Sequence, residues 1–229
     1  MAINYSQNFN LLPSGDLDSD GFYKAAGDTY PQVQEAVKFE GAKGVEGHYI
    51  SGVYVSGQRD FAGTNNEDHW AKFALGSSDV TESFPWFVFG KTSALQAILV
   101  GFLDGYVKCY DGNGVGGGTW LSTGVAVVNG QFYVGKVKFD FATKKWVCWV
   151  SAAGGVGGMD TPKLTNLGFR HNTADSLNHL RFYLAQTPHP DAKYIDTLSI
   201  NDYDPDLGKF DLLSNDLENN PLMGGGLLN

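Results

Sequence analysis

The sequence predicts an all-β protein built as an antiparallel two-sheet sandwich, and three observations predict it. Glycine is abundant, 30 of 229 residues, and it punctuates short runs rich in aromatic and β-branched side chains. No segment keeps a helical period; "LQAILVGFL" has a helical composition, but its glycine and the Asp-Gly that follows favour a buried strand. So many short strands in a single open sheet would leave an apolar face wet, which requires two sheets packed face to face.

In chain order, strands are expected over 5–10, 33–39, 48–55, 70–75, 86–89, 96–103, 106–110, 124–128, 131–139, 146–151, 164–171, 179–184 and 194–201. Asp104-Gly105 makes one tight turn. "VAVVNGQFYVGKVKFDF" reads as the clearest hairpin, because Asn129-Gly130 is the dipeptide whose positive φ angles match strand twist. Beyond that turn, Phe132, Val134, Lys136 and Lys138 fall on one side of a strand and Tyr133, Gly135, Val137 and Phe139 on the other. "GNGVGGG" (112–118) reads as a long flexible loop within one domain, because similar strands flank it. β character falls from Asp202 onward, so 1–202 is expected to form a single domain and 203–229 a C-terminal extension.

The net charge of −9 and pI of about 4.9 exclude nucleic acid as an expected partner, since phosphate binding needs clustered cations and the only basic doublet is Lys144-Lys145. No run approaches the ~18 apolar residues of a membrane span. "MAINYSQNF" lacks the basic start and apolar core of a signal peptide. Cys109 and Cys148 sit in β-like runs and read as buried thiols; a bridge would need adjacent strands and an oxidising compartment.

Three segments carry a resemblance. "YSQNFNLLPSGDLDSDGF", "GQFYVGKVKFDFATKKWVCWV" and "LRFYLAQTPHPDAKYIDTLSIND" resemble, in order, the opening strand and turn, the central hairpin and the closing pair of LamG-like jelly rolls of the concanavalin A-like lectin/glucanase superfamily. The resemblance covers roughly 4 to 202. It implies an all-β jelly-roll sandwich whose first and last strands pair antiparallel. It says little about activity, because that fold carries lectins, hydrolases, lyases and inert modules.

Two acidic ladders are candidate metal sites. Asp16, Asp18 and Asp20, closed by Gly21, match the first half of a calcium loop, but the acid expected at the twelfth position falls on Gly27. A solvated turn is the expected reading, with calcium the alternative, and no other cofactor is expected. Asp202, Asp204 and Asp206 form the second ladder, which fits a separate calcium site or a plain turn. The paired-carboxylate motif of the superfamily's retaining glucanases is absent. Glu67 and Asp68 are adjacent, so on a strand they would point to opposite faces. In a loop, Asn65, Asn66 and Asp68 could bond sugar hydroxyls while Trp70 stacks on a pyranose; Trp70 in the core is the competing reading. Trp120, beside the glycine loop, is the tryptophan expected to be most exposed, and Trp146 and Trp149 must face opposite sides of their strand.

These observations favour a non-catalytic jelly roll in an extracellular or virion-surface assembly, such as a phage decoration or tail protein, with glycan as a candidate ligand. The alternatives are a secreted carbohydrate-binding module and a polysaccharide-degrading hydrolase or lyase. The C-terminal Leu222, Met223, Leu227 and Leu228, spread around three glycines, are the residues expected to dock on a neighbouring subunit or another structural protein.

Overall fold

The computed structural model of the chain describes residues 5–7, 9–18, 21–26, 31–48, 55–61, 68–81, 83–185 and 191–206. Among these described residues sixteen strands follow one another: β1 Tyr5–Gln7, β2 Gly15–Asp16, β3 Phe22–Ala26, β4 Gln32–Gln34, β5 Gly44–Gly47, β6 Val55–Asp60, β7 His69–Ser77 and β8 Trp86–Gly90, then β9 Gln96–Leu103, β10 Tyr106–Gly112, β11 Gly118–Ala126, β12 Phe132–Asp140, β13 Lys145–Val150, β14 Leu164–Gly168, β15 His179–Ala185 and β16 Lys193–Asn201. They form two antiparallel sheets, as the sequence predicts. One has nine strands, ordered β14-β13-β12-β7-β16-β5-β4-β2, with β1 also paired to β16. The other has seven, ordered β11-β10-β9-β8-β15-β6-β3. The first and last strands pair as expected, Tyr5 opposite Ile200 and Gln7 opposite Leu198. No helix among the described residues is long and apolar enough to cross a membrane.

The period of two fills the space between the sheets. From the nine-stranded sheet, Phe73, Val137, Phe139, Trp146, Leu198 and Ile200 point inward; from the other, Phe87, Phe89, Ile98, Phe102, Leu180 and Phe182 meet them. Phe73 lies 4.4 Å from Phe87 between ring centroids, and Phe89 meets Phe139 edge-on at 5.3 Å. β12 alternates as expected: Tyr133, Val137 and Phe139 join this core, while Phe132 turns to a small outer cluster with Tyr194 and Lys136 faces away. Cys109 on β10 and Cys148 on β13 are buried free thiols on opposite sheets. Burial, with the Cys148 thiol beside it, pushes the Cys109 pKa well up.

Several expected elements differ. Asn129-Gly130 does not close a hairpin: β11 belongs to the seven-stranded sheet and β12 to the nine-stranded one, so the turn crosses between them. Its polar groups go to the end of β7, with Gly130 N–H donating to Ser77 O at 2.7 Å and Asn129 Oδ1 accepting from Val80 N–H at 2.9 Å. Hairpins do form at Asp104-Gly105 and at 141–144, and also between β8 and β9 and between β10 and β11. The strand expected over 33–39 ends at Gln34, whose side chain bonds Val37 and coils the chain. The buried Asp196 then accepts the N–H groups of Phe39 and Glu40 at 2.8 and 3.0 Å. Most of the strand expected over 48–55 lies outside the described residues, at 49–54; β5 ends before it at Gly47 and β6 begins at Val55. The strand expected over 5–10 stops at Gln7, and Phe9 adopts a positive φ of 61° in the turn that follows.

Candidate functional site

The outer face of the seven-stranded sheet holds the most site-like arrangement of side chains. Strand alternation builds it. On β8 Phe87 and Phe89 enter the core, so Trp86 and Val88 face out; on β15 Leu180, Phe182 and Leu184 enter the core, so His179, Arg181 and Tyr183 face out. β10 and β11 add Tyr110 and Trp120, opposite each other in register. Phe84, Trp86, Trp120 and Tyr110 form a continuous row, with successive ring centroids 4.5, 5.0 and 5.4 Å apart. The Trp86 indole N–H donates to Phe102 O at 2.9 Å and is thereby fixed. Gly101, paired with Trp86, gives it room: a Cβ there would come within 2.3 Å of Pro85 O and 2.5 Å of the indole.

Beside this row opens a cleft of ≈ 440 Å³ lined by Phe84, Trp86, Val88, Gln96, Leu99, Arg170, Arg181 and Tyr183. Val88 and Leu99 are nearly buried, whereas Trp86, Tyr183 and the two arginines are half-buried. Arg181 donates to Ser56 Oγ through Nη2 at 2.8 Å and lies over the Tyr183 ring at 4.5 Å. Arg170 donates through Nε to Gly116 O at 3.0 Å and through Nη1 to Gln96 Oε1 at 2.5 Å. The glycine loop sets that position. Asn113 Oδ1 accepts the N–H groups of Val115 and Gly117, and Gly114 and Gly116 donate to Phe169 O and Arg170 O at 3.0 and 2.8 Å. A Cβ on Gly112 would come within 2.3 Å of Arg170 N, so only glycine permits this approach. The expected flexible loop is instead bonded to 169–172, and β11 begins at Gly118 rather than at 124.

Further along the same face, Tyr23 Oη donates to Asp60 Oδ2 at 2.9 Å and Asp60 Oδ1 lies 2.6 Å from His179 Nδ1. Burial would raise the Asp60 pKa, but bonds from His179 and Tyr23 hold it below the ordinary carboxylate value. Burial and the bond to Asp60 push Tyr23 up. These groups line a smaller hollow of ≈ 330 Å³.

The residues expected to bind sugar do not come together. Asn65 and Asn66 lie outside the described residues. Trp70 sits on the nine-stranded sheet, with Asp68 just before its strand, and Trp120 on the seven-stranded one, the two tryptophans facing outward on opposite sides of the core. Trp70 is neither in the core nor free: its ring packs 5.3 Å from Trp149, with Lys136 Nζ 5.3 Å and 4.9 Å from the two rings. Trp146 enters the core and Trp149 faces out, as alternation requires. Lys138 Nζ pairs with Asp68 at 3.3 Å. Asp204 and Asp206 pair with Lys136 at 3.1 and 2.9 Å, Asp206 also with Lys72 at 2.7 Å, and the Asp206 N–H donates to Asp204 Oδ1. This ladder is a turn laid over lysines. In the other, exposed Asp16 of β2 pairs with Gln32 of β4, Asp18 N–H donates to Asp16 O at 2.9 Å, and Asp20 lies outside the described residues. No group of three or more His, Cys, Asp or Glu among the described residues could hold a metal ion.

No family profile matches the sequence, and no curated protein matches it. Solved structures do. The fold is similar to a sialidase (TM-score 0.63, 11% identity) over 95% of this chain, although the chain spans only 21% of that protein. It is also similar to the catalytic domain of a glycoside hydrolase family 131 protein from Coprinopsis cinerea (TM-score 0.59, 14% identity, 86% of this chain and 93% of that one). Peanut lectin matches over 87% of this chain and 97% of its own (TM-score 0.51, 12% identity). The architecture is therefore a two-sheet jelly-roll sandwich like that of these proteins.

Proposed function

We propose that the chain is a carbohydrate-binding jelly roll that takes its glycan on the outer face of the seven-stranded sheet. The observation that carries this reading is the cleft in which Trp86 and Tyr183 stand half-exposed beside two guanidinium groups. Aromatic rings offer flat apolar faces to the C–H side of a pyranose, and fixed N–H donors take its oxygens. The volume, ≈ 440 Å³, lies within the range of small-ligand sites. The similarity to a lectin and to two proteins named for glycan hydrolysis supports the same reading. An extracellular setting follows from such a ligand. The assembly role expected from the sequence is a further part of the proposal, resting on Leu222, Met223, Leu227 and Leu228, which lie outside the described residues.

The test is a glycan array followed by calorimetry on the best ligand. Tyr183→Ala should weaken binding at least about tenfold, equivalent to ~1.4 kcal/mol, while Trp70→Ala on the opposite face leaves affinity unchanged. The reverse pattern would move the site to the nine-stranded sheet, and no binding across the array would reject the reading.

A further inference from the structure

The chain contains three arginines, and two of them, Arg170 and Arg181, line this one cleft. They stand 11 residues apart in the sequence and reach it by different routes, one from the segment after β14 and one from the middle of β15. No lysine and no carboxylate stands among the described lining residues. Among the described residues, every acceptor bonded to either guanidinium is neutral: Gly116 O and Gln96 Oε1 for Arg170, and Ser56 Oγ for Arg181. Neither forms an ion pair among the described residues, and most of their N–H donors are unclaimed by protein acceptors. In a protein of net charge −9, with carboxylates in excess, this placement leaves two positive charges in one cleft with no carboxylate among its described lining residues.

From this arrangement we infer that the ligand is an anionic saccharide, one that carries a carboxylate or sulfate on the ring seated between Arg170 and Arg181. Guanidinium is the side chain suited to this task. It is planar, always charged, and matches an oxyanion through paired N–H bonds, which an ammonium does not. The negative charge is then left to the binding partner, because no described lining residue supplies one. The apolar floor, Val88 and Leu99, and the rings of Trp86 and Tyr183 require that the anion be attached to a body with flat apolar faces. A small free anion would meet the arginines but leave those surfaces uncovered. The inference rests on the glycan reading of the same cleft and adds the charge class of the sugar.

The experiment compares acidic saccharides (uronates, sialosides and sulfated sugars) with their carboxyl-reduced or desulfated counterparts, using the full chain and the variants Arg181→Gln, Arg181→Lys and Arg170→Gln. The expected result is that an acidic sugar binds at least about tenfold tighter than its neutral counterpart, and that Arg181→Gln removes this preference while Arg181→Lys keeps part of it. Whether the winning ligands carry carboxylate or sulfate identifies the source of the anion. A thermal melt on each variant checks the fold; if Arg170→Gln unfolds with its loop, Arg181→Gln alone decides. Equal binding of neutral and acidic partners, weakened by Tyr183→Ala, would overturn the inference and leave the glycan reading intact. Displacement of the saccharide by inorganic sulfate at equal concentration would overturn it in favour of a simple anion site. Binding of no sugar at all would remove both.

Discussion

The two outer faces of the sandwich carry the same kinds of side chain and treat them in opposite ways. On the nine-stranded sheet Trp70 and Trp149 pack together under Lys136, and Lys72 and Lys138 stand beside them. Each of these cations meets a carboxylate of the chain itself, from Asp204, Asp206 or Asp68. On the seven-stranded sheet Trp86 and Tyr183 stand beside Arg170 and Arg181, and among the described residues only neutral groups answer the charge. The first face has its anion built in. On the second, no described residue supplies one, and in the reading proposed above the ligand does. Cations next to aromatic rings are thus no guide to a binding surface until their counter-charges are accounted for.

The comparison can be broken most forcefully at Lys136, which is only 4% exposed and serves two carboxylates. Lys136→Ala should cost about 3 kcal/mol in urea denaturation, because it strands buried charge, whereas Arg181→Gln should cost less than about 1 kcal/mol. Equal losses would mean that the arginine face is as structural as the lysine face.

A smaller effect is expected from pH. Burial would raise the Asp206 pKa, but bonds and attraction from Lys72 and Lys136 hold it below the ordinary value of about 3.9. A depressed folded-state pKa stabilises the fold above that value, and the contribution disappears as pH falls through the lowered one. Stability of the wild type should therefore drop below about pH 4. The Asp206→Asn variant should start lower at neutral pH and show a shallower drop. Parallel curves for the two proteins would show that Asp206 contributes nothing to closing that face.

Salt gives the mildest test. Raising ionic strength from about 0.05 to 0.5 M shortens the screening length to a few ångström, so binding of an acidic sugar should weaken several-fold while the Lys136 contribution to stability hardly changes. Salt-insensitive binding would argue that the arginines do not face an anion.

How much of this was legible depended on where the information lies in the chain. Alternation over 131–139 and 146–151 gave β12 and β13 and their inward residues, because both strands are long and one face of each is buried. The short strands β2, β3 and β5 escaped notice, since a glycine, a lysine or a single turn's worth of residues leaves no readable period. Asn129-Gly130 misled because a local turn preference cannot say whether the following strand returns to the same sheet. The loop around Asn65–Trp70 attracted attention by composition, as a polar cluster ending in tryptophan. The arginine cleft has no such local mark: its residues come from four separate segments. One signal was available. In "HLRFYLA" the inward Leu180, Phe182 and Leu184 alternate with His179, Arg181 and Tyr183, and three polar or aromatic residues on the outward side of a central strand are a request for a partner.

The glycine loop has a kinetic consequence. Arg170 is gripped by Gly116 O on one side and Gln96 on the other, while its own backbone N–H donates to Ala97 O at 2.8 Å. A long side chain held this way has surrendered its rotamer freedom when the protein folds, and a ligand need not order it again. Restraint of that kind does little for the rate of encounter and lengthens the life of the complex. Loosening the loop, for instance by Asn113→Ala, should shorten the bound lifetime while leaving the association rate close to that of the wild type.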